Sequence, residues 1–278
     1  MNIAEFSFLT FLGSLIAGFL GALSGLGGGV VIVPLLSVVF GVDIRYAIGA
    51  SLVSVIATSC GAAAAYVKEG FSNIRLGMFL EMATTFGALF GAALAARIST
   101  QVIAVIFGFV LLYSSFLSVK GQPSTATEDA PDFLADRLHL DSTYPSLHGP
   151  VSYHVRAIPT GFSLMFLAGS LSGLLGIGSG AVKVLAMDQA MHVPFKVSTT
   201  TSNFMIGVTA AASAGIYLTR GYIDPGLAMP VMLGVVLGSL FGSRVLVSSK
   251  TRVLRIIFAG VILVLGLEMI YNGLMGWL

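Results

Sequence analysis

Two stretches decide how this chain is read. The first is Gly21-Ala-Leu-Ser-Gly-Leu-Gly-Gly-Gly-Val-Val-Ile-Val-Pro-Leu35, and the second is Leu171-Ser-Gly-Leu-Leu-Gly-Ile-Gly-Ser-Gly-Ala-Val-Lys-Val184. Each lies inside an apolar run, near 8–40 and 160–192, and each run is interrupted by glycines at Gly25–Gly29 and Gly176–Gly180. One bilayer crossing takes about 20 apolar residues, and runs of about 33 are too long for one straight helix. Each run is therefore expected to be two short helices flanking an unwound turn.

The two stretches are copies. At an offset of 151 residues, Gly25, Gly27 and Gly29 fall on Gly176, Gly178 and Gly180, and Ser51, Thr58 and Tyr66 fall on Ser202, Thr209 and Tyr217. The glycines of Gly87-Ala-Leu-Phe-Gly91 fall on those of Gly238-Ser-Leu-Phe-Gly242. The register holds without a gap from Phe11 to Gly91, with about a quarter of the positions identical. The chain is read as a duplicated module: repeat one over 1–119, repeat two over 159–278, and a polar linker over 120–158 that could hold a small β-hairpin.

Composition places both copies in a membrane. Of 278 residues, 56% are hydrophobic and only 9% are charged, and the mean hydropathy is +0.97. A soluble domain is about one quarter charged. Six further apolar runs, near 46–67, 76–96, 101–119, 197–219, 226–247 and 253–276, have ordinary span length. The first segment lacks a basic start and a small-residue cleavage site, so it is read as retained rather than as a signal peptide. A net charge of +2 suggests no nucleic-acid partner. One cysteine, Cys60, excludes an internal disulfide.

Charge placement bears on topology. If each glycine-broken segment enters and leaves on one side, the repeats are inverted. Ten Lys and Arg residues then share one face, including Lys68, Arg75, Lys196 and the run Arg244–Arg255, against Arg45, Arg97 and Arg220 on the other. If each segment crosses, the repeats are parallel and the split is seven against six. Cytoplasmic loops are enriched in Lys and Arg. The expected fold is therefore an all-α polytopic membrane protein of two inverted repeats, each a re-entrant hairpin plus three transmembrane helices. Both termini are expected outside, with the Arg244–Arg255 loop and the linker cytoplasmic.

Unwound backbone at membrane depth is tolerated where it is buried in protein or lines a cavity, and matched interruptions in two repeats point to a transport site. A glycine turn opening a helix presents unpaired N–H groups at the positive end of the helix dipole, which suits an anion. Gly27, Gly28, Gly29, Gly178, Ser179 and Gly180 are thus candidate anion contacts. Thr200, Thr201, Ser202, Asn203 and the repeat counterpart Ser51 add hydroxyl and amide donors, although such groups also bond between helices or back to their own backbone. Lys183, just past the second turn, could pair with an anion or with Glu81. Glu81, inside an apolar run, is a candidate carrier of a coupling proton. The glycines spaced four apart, Gly87/Gly91 and Gly234/Gly238/Gly242, fit close helix packing instead. His139, His148 and His154 fall in the linker and are read as solvated residues, with no metal site expected. No cofactor is expected. Gly176-Ile-Gly-Ser-Gly-Ala181 fits a dinucleotide pattern but follows an apolar helix, and no catalytic constellation is present. Oligomerisation is not indicated.

At this point a family resemblance is visible. The two glycine stretches, with Thr201-Ser-Asn-Phe-Met-Ile-Gly207 and Leu80-Glu-Met-Ala-Thr-Thr-Phe-Gly-Ala-Leu-Phe-Gly91, resemble the signatures of the sulfite exporter TauE/SafE family. The resemblance implies a bacterial or archaeal cell-membrane permease that moves sulfite, organosulfonates or related sulfur-containing anions by alternating access. An anion channel and a non-transporting membrane sensor or partner subunit are the other uses of such a scaffold. Two departures stand out: Ser179 replaces the middle glycine of the second turn, and Leu185 stands where the first copy has Pro34.

Overall fold

A computed structural model describes residues 2–24, 27–68, 70–120, 132–146, 149–176, 178–248 and 251–276. Of the residues singled out above, Gly25, Ile177, His148, Lys250 and residues 121–131 of the polar linker lie outside them. The described residues are helical apart from one small hairpin and short connections. Helix α1 (Ile3–Ser24) is followed by α2 (Gly29–Pro34), which runs on into a π turn at Leu35–Val39. Then come α3 (Ile44–Lys68), α4 (Ile74–Ala95), α5 (Thr100–Lys120) and the short α6 (Phe133–Arg137). Strands β1 (Ser142–Ser146) and β2 (Gly149–Tyr153) pair antiparallel. Helix α7 (Ile158–Leu175) leads to α8 (Gly180–Leu185) and a π turn at Ala186–Ala190. Helices α9 (Phe195–Thr219), α10 (Pro225–Ser248) and α11 (Thr251–Met275) complete the chain.

The element boundaries keep the sequence offset. Helices α2 and α8, the two π turns, and α3 and α9 each start and end 151 residues apart. Pro34 lies in the first copy and Leu185 in the second, yet both copies take the same π turn. The proline is therefore not its cause. Five helices among the described residues are long and apolar enough to cross a membrane: Ala4–Ala22, Ile44–Gly61, Ile74–Ala95, Ile158–Leu175 and Pro225–Gly242. Helix α9 is not among them. Its polar run Ser198–Asn203 is wholly buried in protein, where lipid never meets it.

Glycine contacts set both the packing and its direction. A Cβ on Gly87 or Gly91 would run into the backbone of α7 at Phe166 and Ser170, and one on Gly169 or Gly173 into α4 at Thr84 and Ala88. Gly234, Gly238 and Gly242 of α10 meet Phe11, Leu15 and Phe19 of α1 in the same way. These backbones touch because no side chain separates them, the arrangement small residues allow between membrane helices. Along both pairs, α1 with α10 and α4 with α7, residue numbers rise together, so these helices run parallel. Helices α5 and α11 run antiparallel: Gln101, Gly108 and Ser115 meet Gly276, Gly266 and Ala259 in turn. So do α3 and α9, where Ser59 bonds the Asn203 carbonyl and Ile56 lies beside Gly207.

The hairpin caps one end of this bundle. Asn73, the N-cap of α4, accepts from the Leu76 N–H and donates to the Leu140 carbonyl and the Tyr153 hydroxyl, while its own backbone N–H donates to Thr201 Oγ1. Burial pushes the Tyr153 phenol up to about 12, so at neutral pH it holds its proton. His154 pairs with Asp141 at 2.6 Å. No group of three or more metal-ligating residues occurs among the described residues.

The packing yields a contrast. Gly91→Leu should abolish monodisperse, detergent-extracted protein, because overpacking against backbone costs more than about 3 kcal/mol. Gly260→Ala, where a Cβ meets nothing within 4 Å, should leave the yield unchanged. Gel filtration of both variants checks this.

Candidate functional site

The two glycine turns meet on the same pair of side chains. A Cβ on Gly27 would lie 3.1 Å from Ile206 Cδ1 and 3.6 Å from Val55 Cγ2. One on Gly178 would lie 2.9 Å from Val55 Cγ1 and 3.4 Å from Ile206 Cβ. Both side chains are fully buried. Val55 on α3 and Ile206 on α9 are themselves partners at the 151-residue offset, so the pair sits where the two halves of the chain meet. Gly27 and Gly178 adopt φ of 76° and 71°, a region open to glycine at little cost. Gly29 adds a third close approach, its Cβ position 3.0 Å from the Gly176 carbonyl oxygen.

Each turn opens a helix. Helix α2 and its π turn form one helical run, Gly29–Val39, and α8 and its π turn form the second. π turns inside helices frequently mark functional sites. Between 27–29 and 178–180 the two turns differ at one position. Gly28 is right-handed, with φ −64°, whereas Ser179 is left-handed, with φ 48°. A serine held there is strained, and its side chain is 1% exposed with an Oγ that has no hydrogen-bond partner.

The polar residues after the turns fall into two groups. Ser51 Oγ donates to the Gly176 carbonyl at 2.7 Å, and Ser202 Oγ to the Gly180 carbonyl at 3.3 Å. These hydroxyls brace the second turn from α3 and α9. Thr200 Oγ1 donates to the Lys196 and Phe71 carbonyls, and Thr201 Oγ1 receives the Asn73 N–H. Asn203 is different: fully buried, with neither Oδ1 nor Nδ2 partnered. Thr199 Oγ1 is also buried and unpartnered. Thr199, Asn203 and Ile206 are spaced i, i+4, i+7 on α9, so they share one face of that helix. A stripe of unsatisfied polar groups thus leads along α9 to the meeting point of the turns. Buried polar groups in proteins are almost always hydrogen-bonded, and unpaired ones call for a reason.

Lys183 does not stand alone. Its side chain is fully buried, its Nζ donates to Thr209 Oγ1 at 2.5 Å, and it lies 3.6 Å from Glu81 Oε2. Thr209 in turn donates to Glu81 Oε1 at 2.5 Å. Glu81 is 7% exposed. It floors an apolar groove of about 340 Å³ on the outer face between α4 and α9, walled by Met78, Met82, Phe86, Phe204 and Val208.

Four participants were not picked out from sequence. Thr209 appeared there only as the repeat partner of Thr58. Thr199 lay inside the polar run but was not singled out. Val55 and Ile206 are aliphatic residues in an aliphatic chain, and the offset that aligns them was the one signal available.

A family model described as sulfite exporter TauE/SafE matches residues 10–269. The chain belongs to that family. Among curated relatives, the probable membrane transporter protein YunE of Bacillus subtilis (strain 168) is 29% identical over 278 residues, covering 97% of this chain and 99% of the relative. A second from the same organism, YdhB, is 26% identical over 84% of this chain and 86% of its own length. A probable membrane transporter of Methanocaldococcus jannaschii is 24% identical over 96% and 98%. No solved structure matches. TauE/SafE is a family of membrane transporters, not of enzymes, and its apolar helices place this member in a membrane.

The strained serine provides a test. Ser179→Gly should raise stability by about 1 kcal/mol by removing the left-handed strain, and a higher thermal melting point of the variant checks this.

Proposed function

We propose that this TauE/SafE member is a secondary transporter for a small sulfur-containing oxyanion such as sulfite or an organosulfonate. The carrying observation is the unpartnered, fully buried Asn203 amide, one helical turn from the place where both glycine turns meet. An amide, a hydroxyl at Ser179 and the backbone N–H groups that open α2 and α8 are hydrogen-bond donors of the kind that hold an oxyanion. The anion sits between Gly27–Gly29 and Gly178–Gly180, with Asn203 and Ser179 completing its shell. Ser51 and Ser202 hold the second turn in shape, Thr200 and Thr201 fix the start of α9, Lys183 offsets the anion's charge, and Glu81 carries a coupling proton.

Two inverted repeats with re-entrant hairpins fit this reading. Antiparallel packing of α3 on α9 and of α5 on α11 supports inversion, because parallel repeats would run those partners in the same direction. Both termini then lie outside, and the Arg244–Arg255 loop and the 120–158 linker lie in the cytoplasm. Val55 and Ile206 close the space between the turns, and rocking of one repeat against the other opens it to each side alternately.

The test exploits the orphan amide. Asn203→Leu breaks no hydrogen bond of the side chain and removes a buried unsatisfied group, so the variant should melt no lower than the wild type. In proteoliposomes its flux of labelled sulfite should fall about a hundredfold, the effect of losing about 2–3 kcal/mol at a charged hydrogen bond. Undiminished sulfite flux in a folded Asn203→Leu protein would overturn the site, and conductance without saturation would favour a channel.

A further inference from the structure

We propose that Glu81, Thr209 and Lys183 form a proton-dependent charge mask, so that one proton is taken up with each anion bound. The inference rests on the transport reading above and concerns what drives it. As the structure stands, the Lys183 cation is neutralised by the Glu81 carboxylate, directly and through the Thr209 hydroxyl. A cation so paired has little attraction left for an anion. Yet Lys183 belongs to the short helix α8, and its backbone N–H bonds to the Ser179 carbonyl at the second glycine turn.

Protonation of Glu81 changes this balance. An O–H bond forms on the carboxyl as an O–H bond of a hydronium ion from bulk solvent breaks and leaves water, and no bond in the protein breaks. Oε2 has no hydrogen-bond donor of its own, so it has an open position for the proton. Lys183 is then an uncompensated cation with no exposure to solvent, which is strongly unfavourable. An anion at the neighbouring turn restores the compensation. Protonation therefore favours anion binding, and anion binding favours protonation by the same factor. Release of the anion returns the proton, and Glu81 pairs with Lys183 again.

The mask exists in one half only. At the 151-residue offset, Ile32 stands for Lys183 and Met232 for Glu81, and Thr58 bonds back to the Ser54 carbonyl of its own helix. A single copy implies one proton per anion rather than two. The surrounding elements offer few competing groups. Helix α7 carries no ionisable residue, α4 adds only Arg75 at its start, the π turn after α8 adds Asp188, and α9 adds Lys196 near its start and Tyr217 near its end.

Calorimetry of the wild-type protein in buffers of different ionisation enthalpy counts the protons taken up on binding. Thiosulfate and methanesulfonate serve as probes, since their own charge is constant across neutral pH. The expected result is an uptake of one proton per anion, with affinity tightening about tenfold for each unit of falling pH until the carboxyl is titrated. In Glu81→Gln the uptake should vanish and the affinity should cease to vary with pH. Binding by the wild type with no proton uptake and no pH dependence would overturn the mask, and with it the coupling role of Glu81, while leaving the anion site between the two turns intact. Failure of the wild type to bind thiosulfate, methanesulfonate or sulfite would contradict the transport reading itself.

Discussion

The structure depends on the approach of two backbone turns to one another at the centre of the chain. Side chains would hold them apart, so both turns are made of glycine, with one serine. Their approach is possible only because the surrounding helices also touch backbone to backbone, α1 on α10 and α4 on α7, through rows of glycines spaced four apart. In an apolar medium there is little hydrophobic drive between helices, and close contact must supply what water would supply elsewhere. The glycine excess thus serves one geometry at two scales: the frame lets the turns reach the centre, and the turns leave their backbone groups there.

What fills the centre is apolar. Val55 and Ile206 come from corresponding places in the two repeats and pack against both turns, with the unpartnered Thr199 and Asn203 aligned along α9 behind them. Two aliphatic side chains thus fill the space between the turns, with the unpartnered polar groups beside them. The charged residues stand to one side. Lys183 and Glu81 satisfy each other, directly and through Thr209, while at the equivalent place of the other repeat Ile32 and Met232 stand for the charged pair and Thr58 bonds back to its own helix. The chain is symmetric in its backbone and asymmetric in its chemistry.

Much of this was legible in the sequence, for reasons that can be named. The glycine turns were visible because they break apolar runs too long for one helix, and because the same break recurs 151 residues later. The packing glycines were visible from their spacing. The charge split favoured inversion, and α3 with α9 and α5 with α11 pack antiparallel, as the proposed inversion requires. Other features were hidden. Hydropathy separates core from surface in water, but in a membrane both the interior and the lipid face are apolar, so nothing marked Val55 or Ile206. Nor does sequence tell a hydroxyl that braces a backbone carbonyl from one left free. Ser51, Ser202, Thr200 and Thr201 proved to be tied to protein partners, whereas Ser179 and Asn203 are not. Pro34 looked like a difference between the copies, yet the π turn forms with leucine in its place.

The central claim is that one anion is held between both turns at once. An experimental structure of the protein with a bound oxyanion whose heavier atom scatters anomalously, such as selenite in place of sulfite, tests it most directly. The account predicts a single anomalous peak between Gly27–Gly29 and Gly178–Gly180, within hydrogen-bond reach of Asn203, with Val55 and Ile206 moved apart. A peak on one turn alone, or in the groove beside Glu81 with the turns still closed on Val55 and Ile206, would contradict it.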